Sequence, residues 1–393
     1  MSSETEIRPF RVDTPDKTIT DLRRRIAATR SPSRELVADR SQGVQLATIQ
    51  ELARYWAADY DWRACEAKLN ALPQFKTKID GVDIHFIHVR SRHADALPLI
   101  ITHGWPGSVI ELLGVIGPLT DPIAHGGSAQ DAFHLIIPSL PGYGFSAEPA
   151  EVGWDPGRIA GAWPELMRRR GYTRYVAPGG DVGAFVADAM GRQAPEGLLG
   201  IHLNLLQTAL LGNSPPAESE KEHAALETLA TFNASGRGYF IEQATRPQTI
   251  GYALLDSPLA LAAWMLDHDT DAYYKISRAF TSGQPSGGLT RDHILDNITT
   301  YWLTGTGASA ARSYWEHGRA AALAAGQAPP QVKLPVGFTV FPGESFRAPR
   351  SWVELGYPHL SYFHEADRGG HFAAWEEPEL FATEIRAAFK PLR

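Results

Sequence analysis

"VAPGGDVGAFVADAMG", Val176 to Gly191, decides how this chain of 393 residues is read. It has the frame of a strand, a tight glycine turn and a helix. Tyr175 to Ala177 lead into Gly179, Gly180, Asp181 and Gly183, and the helix-like "AFVADAM" follows. A Gly-x-nucleophile-x-Gly elbow needs its glycines because the nucleophile sits on a strained turn where neighbouring side chains would collide. Aspartate stands here where serine is usual. Taken alone, the pentapeptide is equally well a tight turn whose aspartate caps the next helix.

The stretches on either side give the elbow its context. Upstream, "LPLIITHGW" is an apolar run ending in glycine and proline, and "FHLIIPSLPGYG" is another. Between and after them come helical patterns in "SVIELLGVIGPL" and "RIAGAWPELMRRRGY". Alternating apolar strands and amphipathic helices predict an α/β fold with a mostly parallel sheet covered on both faces. "QFKTKI" and "VDIHFIHVR", joined by Asp80-Gly81, predict a hairpin at the start of this unit. Residues 1–72, with "TITDLRRRIAATR" and "VQLATIQELARYWAADYDWRACEAKLNAL", read as a helical lead-in. Helical signals dominate residues 209–331, and strands resume at "VGFTVFPG" and "HLSYFHEAD" before a last helix in "PELFATEIRAAFK". A helical cap (209–331) inserted into an α/β core (73–208 and 332–393) is the economical division.

"THGWPGS", Thr102 to Ser108, follows the strand "LPLII" directly. In α/β-hydrolases the loop after the third strand and the residue after the nucleophile supply the oxyanion-hole N–H groups. Those positions are Trp105 and Val182, and the same loop places His103, Gly104 and Trp105 beside a substrate. The fold's triad runs nucleophile, acid, histidine along the chain. His371, in "DRGGHFAAWEEPE", lies after the last strand and before the last helix, where the base belongs. The acid should follow "VGFTVFPG", which nominates Glu344; Asp367 is its rival. Glu376 and Glu377 read as first-turn helix carboxylates. His85 and His88, three apart in a strand, face opposite sides and read as structural. His202, His293 and His364 have no supporting context.

A net charge of −7 and a pI near 6.1 lack the basic excess of a nucleic-acid binder. The polar amino terminus "MSSETEIRPFRVDTPDK" has no signal-peptide core, and no apolar run approaches the roughly 20 residues of a membrane span. A single cysteine, Cys65, excludes an intramolecular disulfide and points to the cytoplasm. The sequence offers no metal or organic-cofactor site.

With these residues in view, the chain resembles the epoxide hydrolases, in the branch of the microsomal enzyme and its soluble relatives. "FRVDTPDKTITDLRRRI" is similar to that branch's amino-terminal segment, "HGWPGS" to its oxyanion loop, "GGDVGAFV" to its elbow and "RGGHFAAWEEPE" to its histidine segment. The resemblance implies Asp181 as nucleophile, His371 as base and Glu344 as its partner. It also implies two cap tyrosines that hold the epoxide oxygen. "GRGYFIEQ" and "ARSYWE" match those segments and give Tyr239 and Tyr314; Tyr301 reads as a packed cap aromatic. Nothing like a membrane anchor precedes "IRPFRVD", so a soluble member is expected, with a homodimer a further implication.

An aspartate at the elbow then has a chemical reason. Serine attacking an sp³ carbon would leave an ether, which a histidine-activated water could not break; a carboxylate leaves an ester. The expected partners are a small hydrophobic epoxide and water, and no cofactor is implied. A haloalkane dehalogenase would share the ester logic, but that class places a tryptophan after the nucleophile where this chain has Val182. A silent α/β-hydrolase scaffold is the remaining alternative. Trp264, Tyr252, Phe240 and Trp302 suggest an apolar pocket in the cap.

Overall fold

The computed structural model describes residues 5–206, 215–325, 327 and 329–393. Its strands, in chain order, are β1 (Ile7–Pro9), β2 (Gln74–Ile79), β3 (Val82–Val89), β4 (Leu97–Ile100), β5 (Phe133–Pro138), β6 (Tyr175–Gly179), β7 (Leu198–Leu203), β8 (Val336–Val340) and β9 (Leu360–Glu365). They form one sheet in the order β1-β2-β3-β5-β4-β6-β7-β8-β9. From β1 to β5 neighbouring strands run antiparallel, and from β5 through β4 to β9 they run parallel.

The Asp-Gly pair closes the β2–β3 hairpin. Ile79 opposes Val82, and Asp80 and Gly81 both take positive φ, 47° and 82°, which a two-residue hairpin turn demands. β1 was not foreseen in the helical lead-in. Three residues are too few to show alternation, and Pro9 is tolerated because the strand lies at the sheet edge.

The central strands are buried on both faces, as a parallel sheet requires. β5 has no exposed residue, and its alternation divides the core: Leu135 and Ile137 enter one layer and Ile136 the other. Likewise Leu99 and Ile101 oppose Ile100. The helices Pro156–Arg169 and Val182–Gln193 cover one face through Trp163, Leu166, Val186 and Met190. Pro378–Phe389 and the turn Val109–Val115 cover the other through Phe381, Ile385, Val109 and Leu112.

Between β7 and β8 the described residues hold helices and no strand. They are Glu220–Thr231, the π-helical turn Phe232–Gly236, Gly238–Thr245, Pro247–Asp256, Pro258–Leu266, Thr270–Thr281, Arg291–Thr304 and Gly307–Leu323. The start of the expected cap at residue 209 lies outside the described residues. The amino-terminal helices Asp16–Ala27, Leu46–Ala58 and Trp62–Asn70 pack against this helical layer. Trp56 Nε1 donates to Thr299 Oγ1 at 2.9 Å, Tyr60 Oη donates to Asp296 at 2.8 Å, and Arg40 pairs with Asp267 at 2.7 Å.

Candidate active site

Asp181 stands between β6 and the helix Val182–Gln193 at φ 48°, ψ −124°, outside the region an L-residue prefers. The glycines make this turn feasible. A Cβ on Gly179 would meet the Gly183 carbonyl oxygen at 2.1 Å, and one on Gly183 would meet that of Thr102 at 2.0 Å. Gly104 serves the opposite wall, for a Cβ there would lie 2.4 Å from Asp181 Oδ1. The loop after β4 can therefore close on the carboxylate, and the Trp105 N–H donates to Asp181 Oδ1 at 2.7 Å. Val182 opens the helix, so its N–H belongs to the first-turn donors that a helix leaves unpaired.

Helix Arg291–Thr304 holds this loop from the cap side. Tyr301 Oη donates to the Gly107 carbonyl at 2.6 Å, Asn297 Nδ2 donates to that of Pro106 at 2.7 Å, and Ser108 Oγ donates to Asn297 Oδ1 at 2.7 Å. Tyr301 is thus a packed cap aromatic with a positioning hydrogen bond.

The loops after β8 and β9 meet at a parallel bridge between Gly343 and Gly370, which sets Glu344 beside His371. His371 Nδ1 lies 2.7 Å from Glu344 Oε1, and its Nε2 lies 3.1 Å from Asp181 Oδ2. Glu344 Oε1 also accepts from the Ser345 N–H at 2.9 Å. Burial works against a charge on His371, but the Glu344 and Asp181 carboxylates outweigh it and hold the imidazole's pKa well above its ordinary value. Burial likewise opposes ionisation of Asp181, and the imidazoles of His268 and His371 overcome it, keeping the carboxyl below the usual range. Asp367 is exposed and pairs with Arg368 at 3.1 Å, far from this role.

Above Asp181 opens a cavity walled by Trp154, Ile159, Phe185, Phe232 and Phe240, with Tyr239, Tyr314, His268 and His371 around the carboxylate. Tyr239 stacks on the Trp105 ring at 5.1 Å, and Tyr314 meets that ring edge-on at 5.9 Å. Burial pushes both phenols well above their ordinary pKa, so they are protonated donors.

Of the four cap aromatics, Phe240 lines the cavity, while Trp264 donates to Gln243 at 2.9 Å, Tyr252 is exposed, and Trp302 lies under the Arg25 guanidinium. None of His103, Gly104 and Trp105 lines the cavity, and Trp105 reaches the site through its N–H to Asp181. His103 Nε2 accepts the Leu140 N–H at 3.1 Å and its Nδ1 faces the Gly104 carbonyl, so it braces the loop from behind, with burial pulling its pKa down to about 4. Glu376 does stand in a helix first turn, that of the short Ala373–Glu376, where it is buried and paired with Lys275. Glu377 stands at the N-cap position of the last helix without a side-chain capping bond, and it meets Arg368 at 3.1 Å.

His85, His88 and His202 are structural. His85 sits between Ser139 Oγ at 2.8 Å and Gln74 Oε1 at 3.0 Å, His88 reaches Tyr172 Oη at 2.8 Å, and His202 reaches Thr339 Oγ1 at 2.9 Å. His293 lies between the Gly288 and Ile110 carbonyls, and His364 contacts Glu384.

Sequence reading missed three side chains near Asp181. His268 Nε2 lies 3.7 Å from Asp181 Oδ2, an ion-pair separation and not a hydrogen bond, with Asp269 3.3 Å from its other nitrogen. Glu111 and Asn204 line a small recess behind His371. Burial raises the Glu111 pKa well above the usual value, with the Asp181 charge adding to it. "LDHDTD" offered no glycine frame or strand end to mark His268. The donor atoms of Asp181, His268 and His371 lie within 4.8 Å of one another, and each imidazole is backed by its own carboxylate, Asp269 for His268 and Glu344 for His371.

A carboxylate at the elbow, facing a His–Glu pair across the carboxyl ends of a parallel sheet, defines an α/β-hydrolase. The family described as "Epoxide hydrolase N terminus" matches residues 7–112. A Stigmatella aurantiaca protein whose name places it among the epoxide hydrolases is 52% identical, over 98% of this chain and 86% of that relative. Epoxide hydrolase 1 of Sus scrofa is 36% identical over 98% of this chain and 89% of its own length. The Aspergillus niger epoxide hydrolase structure superposes with a TM-score of 0.85 at 30% identity, covering 100% of this chain and 98% of that one. The chain belongs to the epoxide hydrolase family. Among the described residues no helix is long and apolar enough to cross a membrane.

Proposed function

We propose that this enzyme opens epoxides to vicinal diols through a covalent ester on Asp181, which a water activated by His371 then cleaves. The observation that carries the reading is His371 itself, held between Glu344 at 2.7 Å and Asp181 at 3.1 Å. Asp181 Oδ2 attacks a ring carbon in line with the departing oxygen. Tyr239 and Tyr314 donate hydrogen bonds to that oxygen, without which an alkoxide is a poor leaving group. The proton held by His371 in the resting site passes to the alkoxide and leaves the imidazole neutral.

In the second step neutral His371 takes a proton from water, whose oxygen attacks Asp181 Cγ. Negative charge gathers on Oδ1, already facing the Trp105 N–H, with Val182 supplying the second donor. Removing one such donor in comparable sites costs about 10²–10³ in rate. Collapse breaks the Cγ–Oδ2 bond, Oδ2 gains the second water proton carried by the regenerated carboxyl, and the diol leaves with Oδ2, so that Asp181 is again ionised and His371 again protonated.

The aromatic and aliphatic cavity walls support a hydrophobic epoxide as substrate. Cytoplasmic residence and a homodimer belong to the same proposal; a buried, unpaired Cys65 supports the first, and light scattering in solution tests the second. The chemistry is tested by mixing His371→Gln with styrene oxide and measuring intact mass. One added epoxide, mapped to Asp181 and absent in Asp181→Asn, is the expected result. An adduct from a haloalkane but from no epoxide would transfer the assignment to dehalogenation.

A further inference from the structure

Asp181 Oδ2 has two imidazoles beside it, and the reaction above employs one. His268, in the turn between Pro258–Leu266 and Thr270–Thr281, is 5% exposed and lines the cavity. Its Nε2 is buried, makes no hydrogen bond and lies 3.7 Å from Oδ2. Its Nδ1 lies 3.3 Å from Asp269 Oδ2, and Asp269 is itself fixed as a helix cap, accepting the Ala272 N–H at 2.7 Å. The His268 ring is 4.7 Å from that of His371 and 4.9 Å from that of Tyr239. A second carboxylate–imidazole pair is thus aimed at the same reacting oxygen as the first. A buried imidazole nitrogen without a partner is unfavourable and asks for a reason.

We propose that His268 is a further catalytic residue, the acid that protonates Oδ2 as the diol departs. The proposal rests on the ester reading of Asp181. His371 alone would have to take a proton from water and hand one to Oδ2 through the same Nε2, which already faces Oδ2 at 3.1 Å. With two imidazoles the base and the acid of this step are separate groups. Water gives one proton to His371 Nε2 and its oxygen bonds to Cγ. The Cγ–Oδ2 bond then breaks, and Oδ2 takes the proton from His268 Nε2. The regenerated Asp181 carboxyl releases the second water proton to His268, so that aspartate is again ionised and both imidazoles again charged. That is the resting state, and the proton on His371 supplies the next epoxide oxygen.

The groups that set the charge on His268 are Asp181 and His371 from the core, Asp269 on its own loop and Tyr239 from the helix Gly238–Thr245. Glu344 and Glu376 border the recesses it shares. Burial opposes its protonation, while Asp181 and Asp269 more than offset this and His371 opposes it.

Single-turnover kinetics with styrene oxide, following ester formation and decay by quenched-flow mass analysis, separates the steps. His268→Gln should keep ester formation largely intact and slow ester hydrolysis by about 10²-fold, as loss of a general acid does. The alkaline fall of the hydrolysis rate, where the acid loses its proton, should vanish. Asp269→Asn keeps an oxygen for the helix cap and should move that fall to lower pH. An unchanged hydrolysis step and pH profile in His268→Gln would overturn the proposal. So would equal losses in both steps with a lowered Tm, which would make the residue structural. Wild-type enzyme that forms no ester would instead overturn the parent reading, and does so before either variant is made.

Discussion

The Trp105 N–H donates to Oδ1 of Asp181 at 2.7 Å, which leaves Oδ2 to His371 at 3.1 Å. The two carboxylate oxygens are therefore not equivalent. In the proposed mechanism Oδ1 carries the charge of the tetrahedral intermediate, and Oδ2 attacks and leaves. A single turnover in ¹⁸O-water should put the label in the Asp181 peptide and leave the first diol unlabelled. Label in the first diol would mean direct attack of water on the epoxide.

Tyr239 and Tyr314 flank the Trp105 ring at 5.1 and 5.9 Å and line the cavity with Asp181. In the proposed mechanism their hydroxyls bear on the first step alone. Tyr239→Phe and Tyr314→Phe should each slow ester formation by about 10²-fold or more, and spare hydrolysis of an ester once formed. Rapid-quench kinetics would show this split, and equal loss in both steps would refute it.

Glu344→Gln removes a charge that raises the His371 pKa. Esterification of Asp181 removes another, so the imidazole becomes less basic when it must act as base. In Glu344→Gln the rising limb of the pH profile for ester hydrolysis should therefore move to lower pH. The plateau should fall by about 10-fold or more, because a weaker base takes the water proton less readily. A limb that stays in place would show that Glu344 does not govern His371.

Buried neutral histidines predict acid sensitivity. Burial pulls His85 and His202 down to about 3, whereas unfolded histidine titrates near 6.5. Between those values the unfolded chain binds more protons, so their contribution is present above about pH 6.5 and is lost as pH falls towards 3. Each costs up to about 1.4 kcal/mol per pH unit in that window. Urea midpoints at pH 7 and pH 5 should converge in His202→Gln relative to wild type; an unchanged gap would show that other groups drive the loss. His371 and His268 work the other way, since their raised values favour folding below pH 6.5.

The sheet was legible because its strands are long enough to show a pattern and its turns carry glycine. β5 and β6 announce themselves as apolar runs, and Asp80-Gly81 marks a hairpin. β1 and His268 were not legible. β1 exists because β2 offers it an edge, and His268 approaches Asp181 across 87 residues of chain through cap packing alone. The pocket walls were not legible in the sequence for the same reason. An aromatic residue at helical spacing does not say whether it will face a cavity, as Phe240 does, or a guanidinium, as Trp302 does.

The hydrogen bond from Trp56 to Thr299 joins residues 243 positions apart, and that from Tyr60 to Asp296 joins residues 236 apart. At the usual pace of about 5–20 residues per second, a ribosome needs roughly 10–50 s to make that span. For that time the first helices have left the tunnel and their partners do not exist. Long-range closure of this kind slows folding and leaves apolar surface uncovered. A substitution that weakens this packing should therefore register first as lost yield from the cell, before any change in turnover.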